Sequence, residues 1–273
     1  MKIFISADIE GIAGVCTPEQ CRAGNAEYEK ARALMEQEVN AAIAGAFEAG
    51  ATHVVVADSH GSMTNLRSAY LDPRAELIQS KPRAFSMVEG IDHQHFDGLF
   101  LIGYHSGAGE AGVLAHTING AAFYRVTVNG LLMAEADLYT TSAFEHGTPL
   151  LLVSGDDKLK QWITERYPGV SYCCVKRAIS TTAAQSLSPQ EAQQRIHAAA
   201  FEAVNALTQT DKVLLKPPYH LTLEATKPVM ADVFALIPGV EQLNARTVSY
   251  TATDMKTLIS LLSAFSYLAS SQH

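Results

Sequence analysis

Residues 2–57 read as a strand, a long helix and a second strand, and few architectures accept that order. Lys2 to Ala7 is a short β-branched and aromatic run, and Val54-Val55-Val56-Ala57 is another. Between them Ala26 to Ala49 is rich in Ala, Glu, Met and Leu, with Gly50 placed to cap its C-terminus. A strand–helix–strand unit closes as a parallel pair with a right-handed crossover. Leu99-Phe100-Leu101-Ile102-Gly103 reads as a third strand of the buried type.

The alternation continues. Phe123 to Val128 is a strand candidate, Asn129-Gly130 a turn, Leu131 to His146 a helix, Leu150 to Val153 a strand and Asp156 to Tyr167 a helix. Polar and small residues gather from Ser180 to Ser188, and Ser188-Pro189-Gln190-Glu191 is a helix start with Ser as N-cap and Pro at N1. Beyond it come a helix (Pro189 to Leu207), a strand (about Tyr219 to Ala225), a helix (about Pro228 to Leu236), a strand (Thr247 to Thr251) and a helix (Asp254 to Ser270). The expected fold is α/β. It has a mostly parallel three-layer sheet lobe over residues 1–187 and a second, smaller α/β lobe over 188–273, without internal repeats.

Charge narrows the function. With 28 acidic against 20 basic residues the net charge is −8, and no Lys/Arg cluster forms a basic face, which disfavours nucleic acid as a partner. Asp8 and Glu10 interrupt the N-terminal apolar run too early for an export signal. No stretch approaches the roughly 18 apolar residues of a spanning helix. A cytoplasmic enzyme with no membrane partner is the expectation. Cys16, Cys21, Cys173 and Cys174 lack the C-x-x-C spacing of redox or zinc sites and read as reduced thiols.

The chemistry starts at Ser6-Ala7-Asp8-Ile9-Glu10-Gly11. If the first strand persists to Glu10, Asp8 and Glu10 share a face, with Ile9 on the opposite, buried side. They would then emerge at the carboxyl edge of the sheet, where ligands bind. Paired carboxylates repel unless protons or a cation neutralise them; an exposed acidic turn is the competing reading. The second strand runs into Asp58-Ser59-His60-Gly61 and the third into Gly103-Tyr104-His105-Ser106-Gly107. Parallel neighbours end at the same edge, so His60 and His105 converge with Asp8 and Glu10. Asp58 reads either as the acceptor that orients His60 or as a turn former. Glu135, on the first turns of an apolar helix, is a further candidate, although a surface Glu is commoner there. His116, after a Gly-rich loop, suits acid–base chemistry. Mixed Asp/Glu/His ligation suits zinc, manganese or cobalt. Such a set, with one carboxylate bridging, is what a two-metal hydrolytic site needs.

The hexapeptide fits an S-x-D-x-E-G signature. Together with Asp58-Ser59-His60-Gly61, Gly103-Tyr104-His105, Ala115-His116-Thr117, Asn129-Gly130, Pro238-Gly239-Val240-Glu241 and Arg246-Thr247-Val248, it resembles the D-aminopeptidase (DppA-type) family of zinc peptidases, M55. The resemblance implies metal ligands at Asp8, Glu10, His60, His105 and Glu135, and His116 as the catalytic histidine. It further implies two Zn2+ per subunit, short peptide substrates that often contain D-Ala, and a ring-shaped homo-oligomer, a decamer. The family proposal makes His116 a nucleophile. A water activated at the metals, with His116 as general base or oxyanion partner, avoids the reactive acyl-imidazole of direct attack. Ala134 stands where the family pattern has Gly. Alternatives are an L-aminopeptidase or other small-amide hydrolase on the same site, and a non-catalytic peptide-binding partner of a dipeptide transporter. His116 argues against the last, because binding alone does not require it.

Overall fold

A computed structural model describes residues 1–206 and 213–271. In chain order the elements are β1 (Lys2–Ala7), α1 (Ala26–Glu48), β2 (His53–Asp58), β3 (Glu76–Ile78), β4 (Gly98–Ile102), β5 (Phe123–Val128) and β6 (Leu131–Leu132). They continue as α2 (Glu135–Glu145), β7 (Leu150–Asp156), α3 (Asp157–Arg166), β8 (Ser171–Ser180), β9 (Ala183–Ser186) and α4 (Pro189–Ala206). The chain closes with β10 (Tyr219–Ala225), α5 (Pro228–Phe234), β11 (Glu241–Gln242), β12 (Thr247–Ala252) and α6 (Met255–Ser270).

The α/β class holds. A 7-stranded sheet has the order β3-β2-β1-β4-β7-β8-β9 and is parallel except at β8–β9. Its central strands are buried on both faces, as parallel strands must be. Ile3, Ile5, Val54, Val56, Phe100 and Ile102 pack with α1 and α4, whereas Phe4, Val55, Leu99 and Leu101 face the core that includes α2 and α6. This sorting at every second residue is why these runs are continuously apolar. A 5-stranded antiparallel sheet, β11-β12-β10-β5-β6, encloses the second core from its far side.

The local signals explain the long helices. Asn25 caps α1 by accepting from Tyr28 N at 2.9 Å. At its other end Gly50 has φ +98° and Ala51 N donates to Ala46 O at 3.0 Å, a Schellman closure. Ser188 Oγ accepts from Glu191 N at 3.3 Å, as expected for the start of α4.

Several expectations shift. The helix expected from Leu131 begins only at Glu135, because Leu131 and Leu132 pair with β5. Strands β3, β8 and β9 carry no apolar alternation strong enough to announce them. The division near 187/188 does not follow the sheets. β5 and β6, before it, lie in the antiparallel sheet, and α4, after it, packs on α1 beside the parallel one. Leu207, the expected end of the fourth helix, lies outside the described residues. Among those described, no helix is long and apolar enough to cross a membrane.

Candidate metal centre

Strand β1 lies between β2 and β4, so the carboxyl ends of all three emerge side by side. These are the strands that lead into Asp8, His60 and His105. β1 ends at Ala7, not Glu10, so strand periodicity is not what aligns the two carboxylates. Instead the next residues turn across the sheet edge. Asp8 N donates to Ile102 O at 2.8 Å and Gly11 N to Gly103 O at 2.7 Å. Ile9 is fully buried on the α1 side. A Cβ on Gly11 would sit 2.0 Å from the Tyr104 carbonyl oxygen, so the last position of the hexapeptide admits only glycine.

Asp8 occupies the middle of the cluster. Its Oδ1 lies 3.3 Å from His60 Nδ1 and its Oδ2 lies 3.2 Å from His105 Nε2. Glu10 Oε2 is 3.0 Å from the same His60 nitrogen, and Glu135 Oε2 is 3.4 Å from the same His105 nitrogen. Glu135 is the first residue of α2, where its Oε1 accepts from Ile118 N and faces His116 Nε2 at 3.8 Å. The His105 and His116 rings stack with centroids 4.2 Å apart. Two ligand groupings lie within metal-binding reach: Asp8, Glu10 and His105, and His105, His116 and Glu135. His116 therefore sits closer to ligand distance than the sequence reading, which makes it the catalytic histidine and not a ligand, anticipates.

Backbone carbonyls orient the imidazoles. His60 Nε2 donates to Cys21 O at 2.7 Å, His105 Nδ1 to Ser106 O at 3.0 Å and His116 Nδ1 to Leu114 O at 2.9 Å. A carbonyl only accepts, so each of those nitrogens carries the proton and the other turns to the carboxylates. Asp58 plays no such part. Its carboxylate accepts from Asn65 Nδ2 and from the main-chain N–H groups of Asn65 and Leu66, which organises the turn after β2.

This leaves acceptor facing acceptor. Glu10 Oε2 and His105 Nε2 are buried without a hydrogen-bond partner. Such a cluster requires additional protons or a cation. In the metal-free protein protons fill the gap. Burial opposes a charge on His60, but Glu10 and Asp8 override it and hold the imidazole well above its ordinary range. At His105 burial is likewise overridden by Glu135 and Asp8. Burial works against Glu10 and Glu135 too, yet His60 holds the first well below the usual carboxylate range and His105 lowers the second. Asp8 is raised, by burial and then by repulsion from Glu10. Three carboxylates and two imidazoles on so small a volume fit a divalent cation of the zinc type.

The signs give a pH dependence. Imidazolium pairing stabilises the metal-free protein fully below the ordinary His value of 6.5 and is lost as pH rises through the raised values. The lowered Glu10 and Glu135 contribute above the ordinary 4.5 and lose that contribution as pH falls through their depressed values. A metal competes with the imidazole protons. Excess zinc is thus expected to raise the unfolding temperature more at about pH 8 than at about pH 6, with protons released on binding. Scanning calorimetry checks this, and an increment that shrinks with pH contradicts it.

Lys176, on β8, escaped the sequence reading. Its ammonium is buried beneath the turn, where it donates to the carbonyl oxygens of Glu10, Ile12 and Val15. Nothing in Cys174-Val175-Lys176-Arg177 signals a buried charge; only the pairing of β7 with β8 brings it beneath Glu10. Lys176→Met, which removes the donor to the Glu10 and Val15 carbonyls and leaves Ile12 O only its bond from Val15 N, is expected to cost on the order of 3 kcal/mol of stability and to weaken zinc binding. Denaturant midpoints and zinc titration test it; an unchanged zinc affinity would reduce Lys176 to a fold-only role. Ala134 fits without strain, because its backbone is extended (φ −84°) and nothing there requires glycine.

The cluster opens on a cavity of about 160 Å³ whose wall includes Asp8, His60, His116 and Glu135 together with Lys81, Arg83, Tyr139 and Tyr267. The family model described as D-aminopeptidase, M55, matches residues 1–264. A curated relative, the D-aminopeptidase of Bacillus subtilis strain 168, is 36% identical over 260 residues, which is 93% of each chain. The solved structure of the Zn-dependent D-aminopeptidase DppA from Bacillus subtilis, a self-compartmentalizing protease, superposes with a TM-score of 0.94 at 32% identity. That match covers 99% of this chain and 98% of the other.

Proposed function

The chain belongs to the D-aminopeptidase family of peptidases, M55, and on that premise we propose that it is a dinuclear zinc aminopeptidase. It removes the N-terminal residue from short peptides that carry D-amino acids, D-Ala among them. One observation carries the two-metal reading: the two oxygens of Asp8 face different imidazoles, His60 with Glu10 on one side and His105 with Glu135 on the other. Asp8, Glu10 and His60 would hold one ion, and Asp8, His105 and Glu135 the other. Manganese or cobalt suits the same donors. A divalent pair held by these residues would supply Lewis acidity toward the scissile carbonyl and would lower the pKa of water toward neutral.

The chain's own groups supply the rest. His116 keeps Nδ1 on Leu114 O, so Nε2 is free to take a proton from the attacking water or to donate to the developing oxyanion. The ring stack with His105 fixes its plane. Likeness to a self-compartmentalizing protease supports a homo-oligomer whose sites face an enclosed space, and we propose that this assembly is a decamer in the cytoplasm. A panel of D- and L-aminoacyl p-nitroanilides tests the substrate class. Turnover of the D series alone is expected. Preference for the L series would replace this reading by an L-aminopeptidase, and no turnover of any amide with metal restored would leave a binding protein.

A further inference from the structure

The cavity wall carries cationic side chains as well as the carboxylates of the cluster. Arg83, in the loop between β3 and β4, donates from Nη1 to the main-chain oxygen of Asp58 at 2.8 Å, which anchors it to the strand end that carries His60. Its Nε and Nη2 are buried and have no hydrogen-bond partner. These two nitrogens form one edge of the guanidinium, the edge whose parallel N–H groups match the two oxygens of a carboxylate. Lys81 lines the same cavity, with Nζ 5.4 Å from the Tyr267 ring centroid. Among the described residues neither cation forms an ion pair. Burial lowers the pKa of both, although Arg83 remains charged throughout the physiological range. A buried, charged donor edge without an acceptor is costly unless a ligand completes it.

We infer that the Nε/Nη2 edge of Arg83, assisted by Lys81, is the subsite for the free C-terminal carboxylate of a dipeptide substrate whose scissile amide lies at the Asp8–His116 end of the same cavity. This rests on the aminopeptidase reading and deepens it. A dipeptide spans the cavity with its free carboxylate on Arg83 and its scissile amide beside His116. The enzyme then measures length, because only a short peptide presents both ends at once. Longer or amidated peptides leave the guanidinium edge unpaired, which is a strong basis for discrimination.

The test compares D-Ala-D-Ala with its C-terminal amide on the zinc-loaded wild type, Arg83→Gln and Arg83→Lys. Calorimetry with a reduced-amide isostere of D-Ala-D-Ala, as free acid and as amide, reads the subsite without turnover. Wild type is expected to prefer the acid by at least about tenfold in KM and in isostere affinity. In Arg83→Gln that preference collapses, and Arg83→Lys, which keeps the charge without the fork, restores part of it. Equal losses for acid and amide in Arg83→Gln would show that Arg83 merely pins the His60 strand end, and would overturn the proposal. So would a wild type indifferent to the terminal group. If the isostere binds with the expected preference but D-Ala-D-Ala is not hydrolysed, the aminopeptidase reading fails and the carboxylate subsite stands.

Discussion

Asp8→Asn is expected to strip metal from both halves of the centre at once. The wild-type carboxylate offers one oxygen to the His60–Glu10 side and the other to the His105–Glu135 side. The amide that replaces it keeps the shape and the acceptor for Ile9 N, which sits 2.9 Å from Oδ1, so the turn survives. It loses the charge and turns one ligand atom into a donor. Zinc content after gel filtration, measured by atomic emission, should fall from about two ions per chain to less than about one. Hydrolysis of D-Ala p-nitroanilide should fall at least about 100-fold, since even outer partners of a metal site cost tenfold to 100-fold. Glu10→Gln and Glu135→Gln touch one side each and should remove one ion apiece. A full metal complement in Asp8→Asn would show that Asp8 does not bridge.

His116→Ala should remove turnover while leaving the metal in place. General acid–base groups are worth about 10²–10⁴ in rate, and the hydrogen bond to Leu114 O leaves Nε2 as the reactive nitrogen. The structure also poses the competing outcome. His116, His105 and Glu135 lie within ligand distance of one another, so loss of an ion from His116→Ala would make the histidine a ligand and not a proton carrier. Metal analysis on the same sample used for kinetics separates the two, and restored turnover with added imidazole at full metal content would support the catalytic role.

The sequence exposes the site more fully than the fold around it, and the reason is physical. Most of the candidate ligand residues sit just past apolar strands, where the change from Ile, Val and Leu to Asp, His and Gly is abrupt. The parallel sheet brings those positions to one edge whatever lies between them. The place of β1 between β2 and β4 gathers Asp8, His60 and His105, although the strand ends before the two carboxylates and its periodicity does not align them. Glu135 was harder. It opens a helix whose start is displaced by the short pairing of Leu131 and Leu132 with β5, and its inward direction depends on Ile118 N. Residues whose role is set by long-range contact left no pattern. Lys176 reads as an ordinary strand lysine until three carbonyls surround it, and Arg83 reads as a loop cation until it is found lining the cavity with two buried, unpartnered nitrogens. The antiparallel sheet is not legible as a unit, because its strands come from residues 123–132 and 219–252, far apart in the chain.

The most direct test of the whole account is a zinc titration of chelator-treated protein, followed by the initial rate on D-Ala-D-Ala and on L-Ala-L-Ala. The protein is expected to be silent after chelation, to regain activity as zinc approaches about two equivalents per chain, and to cleave only the D-dipeptide. Activity that survives chelation, saturation at about one equivalent, or faster cleavage of the L-dipeptide would contradict a two-metal centre built on Asp8 that hydrolyses D-peptides.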